Sequence, residues 1–380
     1  MGSSARRHPV LFPILALCVV VVAVEAIFAL GLQLIQLLQP DALLEPWLRR
    51  HFREQVTEER IERYRDEWFD AELGWVPHPN TVRRGKARGE VFEMRFDAQG
   101  ARRGPANHPP FAVATYGDSF VAGDEVADHH TWQVQLGARL NGGVQNLGVP
   151  GWGADQAIRR VERDHAAGRV APVTIVGLYE DNLARAQNRF RPLLYASTDV
   201  ALGFKPALAV VDGVVVDRLN LWVDPSLGSD ALLDLAWRAA ADDPFAAARA
   251  RWRPPFALQV ARLWAPAIEP LDAWRTEDGA RIADHLVARL VASCRAAGSQ
   301  PWVLWFPHPG RLSAGEPPAY ADTAARWAVA HPELRQVDLG ALPTPDAGWF
   351  TGGDHGHLSE LGARALGDAL ADRLLAASAP

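Results

Sequence analysis

A serine and a histidine that could form a hydrolytic site lie far apart in the chain. Ser119 sits in the segment Gly-Asp-Ser-Phe (117–120), directly after the apolar run 111–116. Near the C-terminus, Asp354 and His357 are three residues apart. A serine hydroxyl becomes a good nucleophile when a histidine accepts its proton and a carboxylate orients that histidine. The pattern therefore predicts a triad of Ser119, Asp354 and His357.

Each half of this pattern also has a simpler interpretation. Gly-Asp-Ser is ordinary turn chemistry, and Asp-x-x-His could cap the helix that the following residues predict. His355 is an alternative base, close to His357 in the chain. The Ser119 segment, the Asp354 and His357 pair and the two blocks described next follow one another in a fixed order, and three of the four come after predicted strands. This combination favours the catalytic interpretation over these alternatives.

Two of the four blocks carry candidate oxyanion donors. One stretch, Asn-Leu-Gly-Val-Pro-Gly, ends at Gly151, and another, Gly-Leu-Tyr-Glu-Asp-Asn, ends at Asn182. The four blocks together resemble the SGNH (GDSL) hydrolase family. The resemblance implies that the oxyanion would be held by the backbone of Ser119, the backbone of Gly151 and the side chain of Asn182.

The third block departs from the family's usual Gly-x-Asn-Asp. With the run Asn-Arg-Phe-Arg-Pro at 188–192, it is similar to a membrane-tethered, polysaccharide-associated variant in which a Glu-Asn pair comes before that run. This similarity is the reason for choosing Asn182 as the side-chain donor to the oxyanion. Substrate contacts are expected for Asp118, Trp152 and Asp181, although a tryptophan is more often a core residue than a sugar-stacking one.

The net charge, the cysteine content and the spacing of possible metal ligands limit the functions to be considered. The chain has 380 residues and a formal net charge of −6, so nothing in its charge favours nucleic acid binding. Only two cysteines occur, and one of them, Cys18, lies in the N-terminal apolar run, so no disulfide framework is expected in the rest of the chain. The histidines and acids show no metal-ligand spacing, and no phosphate-binding or dinucleotide turn appears. We therefore expect neither a metal nor a cofactor.

The apolar run 10–38 predicts a transmembrane anchor. A bilayer core of about 30 Å needs about 20 helical residues, and residues 10–32 supply them with a single charge, Glu25. Cleavage after Ala26 is an alternative, because a signal peptide also begins with an apolar segment. Glu25 could pair with a partner helix or be tolerated alone. The basic residues on the two flanks nearly balance, so orientation rests on the resemblance, which places the domain outside the cytoplasm.

The rest of the chain divides by composition and periodicity. Apolar runs alternate with helical patterns from residue 111 onward, which predicts an α/β fold: a flavodoxin-like parallel sheet with helices on both faces. The predicted strands are 111–116, 144–147, 173–178, 302–306 and 336–339. The predicted segments are a cytoplasmic flank (1–9), the anchor (10–38), a helical stalk (39–69), a small β segment (70–110) and a catalytic domain (111–378) with an insertion at about 189–278.

The resemblance implies a membrane-anchored serine esterase acting on O-acyl, most simply O-acetyl, groups of a cell-surface or exported polysaccharide. A polysaccharide O-acetyltransferase would use the same triad, and a non-catalytic polysaccharide-binding or assembly factor is a third alternative. The expected place is the inner membrane, with the catalytic domain in the periplasm or outside the cell. Partners would belong to a polysaccharide export or modification assembly.

Overall fold

The computed structural model describes residues 11–39, 42–87, 90–195, 202–246, 251, 253–264, 269–342, 347–352 and 356–378. Its strands are β1 Phe69–Asp70, β2 Gly74–Trp75, β3 Val82–Ala87, β4 Glu90–Arg95, β5 Phe111–Gly117, β6 Gly143–Gly148, β7 Val173–Tyr179, β8 Ala207–Val211, β9 Val214–Arg218, β10 Gln300–Phe306 and β11 Arg335–Asp338. Its α-helices are α1 Leu11–Leu38, α2 Leu44–Gln55, α3 Glu58–Glu67, α4 Ser119–Ala122, α5 Trp132–Leu140, α6 Ala154–Ala166, α7 Asn182–Ala186, α8 Ser229–Ala240, α9 Phe256–Trp264, α10 Glu277–Ala297, α11 Pro309–Ser313, α12 Ala321–Ala330 and α13 Glu360–Ser378.

Five strands form one parallel sheet in the order β11-β10-β7-β5-β6. Each pair of sequential strands is joined through helices, which is the connection that a parallel sheet requires. The order reverses at β5, so the chain builds outward from β5 in both directions. This sheet confirms the predicted α/β class, and all five predicted strands are present.

Helices cover both faces of the sheet because its strands are apolar on both sides. In β10, Trp302, Leu304 and Phe306 pack into a core shared with α5 and α13. The alternate residues Val303 and Trp305 pack into a second core, shared with α6, α10 and α12. This period of two, with both sets buried, is typical of parallel strands inside an α/β domain.

The predicted stalk is two helices that pack against the rest of the protein. Thr57 lies between α2 and α3 and caps the start of α3. Its side chain accepts a hydrogen bond from Arg60 N at 3.3 Å. Residues of α2 share a core with the insertion, and the central contacts are Phe52, Phe190 and Phe204. The apolar face of the stalk helices thus forms part of a third core.

The insertion also contains a hairpin. Strands β8 and β9 pair antiparallel, with Asp212 and Gly213 at the turn. Both turn residues have positive φ, 50° and 79°, as the tight hairpin turn favoured by Asp-Gly requires. The hairpin contacts α10, so the insertion is attached to the sheet domain as well as to the N-terminal helices.

Among the described residues, one helix is long and apolar enough to cross a membrane, Phe12–Leu38, with a mean hydropathy of 2.8. A signal sequence has the same properties, so both interpretations of this segment stay open. Glu25 accepts hydrogen bonds from the backbone of Phe256 and, at 3.3 Å, of Ala257. These N–H groups belong to the first turn of α9, which has no partner for them within the helix. The structure thus gives Glu25 a partner helix within the same chain.

Candidate active site

Ser119 lies at the carboxyl end of β5, where the strand turns directly into α4. Asp118 caps the new helix, and its carboxylate accepts a hydrogen bond from Phe120 N at 3.0 Å. The helix sits almost on the neighbouring strand: a Cβ at Gly148 would come within 2.2 Å of Ala122 N. Only glycine permits this approach. The sharp turn and the close packing hold Ser119 at the sheet edge where parallel α/β folds bind ligands.

The structure brings His357 to Ser119 across 238 residues of sequence. His357 Nε2 lies 2.8 Å from Ser119 Oγ, the distance of a hydrogen bond that can carry the serine proton. The backbone carbonyl of His357 accepts a hydrogen bond from Thr351 N at 2.9 Å. Phe120 packs beside the imidazole, with ring centres 5.0 Å apart. These contacts fix the position of the ring.

The carboxylate at the other ring nitrogen is Glu125, which the sequence analysis missed. Its Oε1 lies 3.1 Å from His357 Nδ1, and its Oε2 accepts a hydrogen bond from the Thr351 hydroxyl. Glu125 has a φ of 72°, in the left-handed region, in the turn that follows α4. Asp354, the predicted partner of His357, lies outside the described residues. Its role therefore stays a prediction beside the observed contact of Glu125.

Charge around the imidazole favours its protonated form. Burial alone would lower the pKa of His357, but the hydrogen bond to Glu125 and the nearby carboxylate of Asp124 outweigh it, so the pKa is raised. The same hydrogen bond lowers the pKa of Glu125. A carboxylate that stays ionised beside the histidine stabilises the imidazolium that forms when Ser119 loses its proton.

We expect Glu125→Gln to move the acidic limb of the kcat/KM profile to lower pH. The base must be neutral to accept a proton, and the substitution removes a cause that raises the pKa of His357. The pH dependence of ester hydrolysis by the wild type, Glu125→Gln and Asp354→Asn would measure this. A shift in Asp354→Asn with none in Glu125→Gln would assign the orienting role to Asp354.

Two of the three predicted oxyanion donors face one cavity with His357. Gly151, in the turn after β6, and Ser119 both line it. The φ of Gly151 is 82°, a conformation that glycine adopts without strain. Asn182 does not line this cavity. Its amide is buried at the start of α7, where it donates to Asp118 Oδ2 at 2.9 Å and to Trp152 O at 3.3 Å.

Asn182 instead belongs to a buried charge network behind Ser119. Asp118 is 1% exposed and accepts from Asn182 and from Arg185, the latter at 3.1 Å. Arg185 also donates to Asp181 at 2.7 Å. Burial raises the pKa of Asp118 in spite of the Arg185 charge and the Asn182 hydrogen bond. Asp118 and Asp181, expected as substrate contacts, are thus enclosed in this network, which supports the turn that carries Ser119.

We expect Asn182→Ala to reduce the free energy of unfolding by about 1–3 kcal/mol, because it leaves a buried carboxylate with one donor fewer. Urea unfolding of the wild type and the variant measures this, and kcat on an acetate ester should fall together with stability. Unchanged stability combined with a hundredfold fall in kcat would instead identify Asn182 as the direct oxyanion donor that the sequence predicts.

The site opens into a cavity of about 290 Å³. Its aromatic walls come from the segment before the sheet domain: Tyr64, Trp68 and Trp75. Trp152, expected at the substrate, is fully buried, and its indole N–H donates to the carbonyl of Trp75 at 2.8 Å. The segment before the sheet domain therefore forms a wall of the site.

A larger cavity of about 780 Å³ lies at the other edge of the sheet. It includes Phe111, at the start of β5, and Ala171, just before β7. Ser119 and His357 are absent from its lining. By size alone, this cavity would be the candidate active site. The residues able to activate a nucleophile, however, line the smaller cavity.

No protein-family model matches the chain, and no curated protein does. Solved structures similar to it include a lipolytic protein of the G-D-S-L family from Desulfitobacterium hafniense DCB-2, at 11% identity over 68% of this chain and 97% of that one, with a TM-score of 0.34. A member of the same family from Veillonella parvula DSM 2008 has 11% identity over 70% and 97%, with a TM-score of 0.33. A carbohydrate esterase family 2 enzyme with a carbohydrate-binding domain, from Corynascus thermopiles (Myceliophthora fergusii), has 12% identity over 80% and 89%, with a TM-score of 0.36.

Proposed function

We propose that the protein is a serine esterase of the SGNH (GDSL) type that removes O-acyl groups, most simply acetyl, from a polysaccharide. The observation that carries this proposal is the hydrogen bond of 2.8 Å between His357 Nε2 and Ser119 Oγ. With Glu125 at the other ring nitrogen, the pair has the geometry of an activated nucleophile. A non-catalytic binding protein would have no need for this alignment.

The reaction follows from the positions of these atoms. Ser119 Oγ attacks the acyl carbonyl carbon while His357 Nε2 takes the hydroxyl proton, and the carbonyl oxygen becomes an oxyanion. We assign the N–H groups of Ser119 and Gly151, two residues that line the cavity, as the donors that hold it. When the intermediate collapses, the sugar alkoxide leaves with the proton from His357. Water then attacks the acyl-enzyme by the same path, releasing the acid and restoring Ser119.

Carbohydrate as the alcohol component is supported by the aromatic walls of the cavity. Trp68 is partly exposed there, and Arg83 stacks over its ring at 5.5 Å. An indole face beside a hydrolytic centre suits the apolar face of a sugar ring. An acyltransferase would share every step up to the acyl-enzyme and differ in using a sugar hydroxyl in place of water.

We expect Ser119→Ala to lower kcat/KM on a chromogenic acetate ester by at least about 10⁴-fold, because the nucleophile is removed. Ser313→Ala, at an exposed position at the end of α11, is the matched control and should keep wild-type activity. Thermal unfolding of both variants checks that the fold is retained. Turnover by Ser119→Ala close to that of the wild type would exclude Ser119 as the nucleophile.

We further propose that α1 anchors the protein in the inner membrane with the catalytic domain in the periplasm. The length and hydropathy of Phe12–Leu38 support the anchor. Partners in a polysaccharide export or modification assembly would meet the enzyme on that side.

A fusion after Pro380 tests this topology. We expect alkaline phosphatase to be active there and a fluorophore that matures only in the cytoplasm to stay dark, with the protein released from membranes only by detergent. The opposite reporter pattern would place the domain in the cytoplasm. Release without detergent, with a new N-terminus near Ile27, would show that the segment is a cleaved signal.

A further inference from the structure

Arg191 is a buried cation that forms no ion pair with any carboxylate among the described residues, and it lines the same cavity as Ser119 and His357. It follows Phe190 in the Asn-Arg-Phe-Arg-Pro run and is 5% exposed. Its Nε donates a long hydrogen bond of 3.4 Å to the carbonyl of Gly151, and its guanidinium stacks 4.5 Å from the ring centre of Tyr195. Its Nη1 has no hydrogen-bond partner within the described part of the chain.

Other buried cations of this protein are neutralised. Lys205 lies 3.0 Å from Asp155, and Arg160 lies 3.0 Å from Asp164. The neighbouring Arg185 has two carboxylates, so it adds little free charge to the cavity. Burying an unpaired charge is costly, and proteins seldom do so without a partner. Arg191 therefore stands out as a cation whose counter-charge is still to be supplied.

The direction in which the pKa of Arg191 is shifted agrees with this description. Burial, followed by the repulsion of Arg185, outweighs the attraction of Asp181 and Asp118 and lowers the pKa of Arg191 to about 9, so the guanidinium is still charged at neutral pH. An anion entering the cavity would oppose both causes, because its attraction raises the pKa of the guanidinium. A carboxylate is the group that suits this position, because its two oxygens match the planar guanidinium.

We propose that Arg191 binds a carboxylate carried by the substrate next to the scissile ester, so that the enzyme prefers acylated acidic sugars over neutral ones. This inference rests on the proposed esterase function. The contact of Arg191 with the Gly151 carbonyl places the guanidinium beside Gly151, the residue that the proposed function assigns as an oxyanion donor. The carboxylate would thus belong to the same sugar as the ester or to its direct neighbour.

A matched pair of substrates tests the proposal: a methyl glucuronoside and a methyl glucoside, each acetylated at the same hydroxyl. We expect the ratio of their kcat/KM values to favour the glucuronoside in the wild type and to fall about 10- to 100-fold in Arg191→Gln, the range for one charge-assisted hydrogen bond. Arg191→Lys, which keeps the charge, should fall between the two. Arg189→Gln removes a charge from the same run outside the cavity and should leave the ratio unchanged. Equal losses on both substrates in Arg191→Gln would overturn the proposal, because Arg191 would then act on the reaction or on the fold.

Binding without turnover separates this inference from the proposed function. Unacetylated methyl glucuronoside should raise the Tm of the wild type more than methyl glucoside does, and Arg191→Gln should lose the difference. If the wild type hydrolyses neither ester but shows this difference, the esterase proposal fails and the carboxylate site stands. If the two sugars shift the wild-type Tm equally, the carboxylate site is wrong whatever the activity. The Tm of each variant without sugar, with Arg191→Lys as the milder change, checks the fold.

Discussion

The buried carboxylate of Asp118 is the interaction on which the candidate site depends. An ionised group at 1% exposure must be given donors, and its three donors come from two places: Phe120 N from the next turn, and Asn182 and Arg185 from α7. Satisfying one carboxylate thus joins the exit of β5 to the exit of β7. As a consequence, Ser119, the residue after Asp118, is held in place without contacts from a bound substrate.

The cavity in front of Ser119 is assembled from three parts of the chain. The sheet domain supplies Ser119, Gly151 and His357, the segment before the sheet supplies aromatic walls, and the insertion supplies Arg191. The third core explains how these parts stay together, because aromatic residues of α2 and of the insertion bury one another there. Under the proposed function, chemistry and specificity would be divided: the sheet edge would activate the ester, and the added segments would select the molecule that carries it.

The contact between the candidate anchor and the insertion also satisfies polar groups. Glu25, within an apolar helix, is a liability in a bilayer unless it is partnered. The first turn of α9 supplies N–H groups that have no partner inside their own helix. Their hydrogen bonds connect the candidate anchor to the insertion, and therefore to the part of the chain that also contributes Arg191.

Sequence by itself determined the sheet and the position of its ligand-binding edge. Each predicted strand lies within about two residues of the observed one. The central strands β5, β7 and β10 are buried on both faces and read as nearly continuous apolar runs. Ser119, Gly151 and Asn182 follow three of the predicted strands, so their shared edge was predictable from chain order alone. Only the tertiary structure decided what each side chain does there. Glu125 is one acid among many, and nothing in its spacing marks it as the partner of His357. Trp152 and Asn182 were expected to face substrate, but burial and hydrogen bonding enclose them, and such enclosure depends on contacts between distant segments that no local pattern encodes.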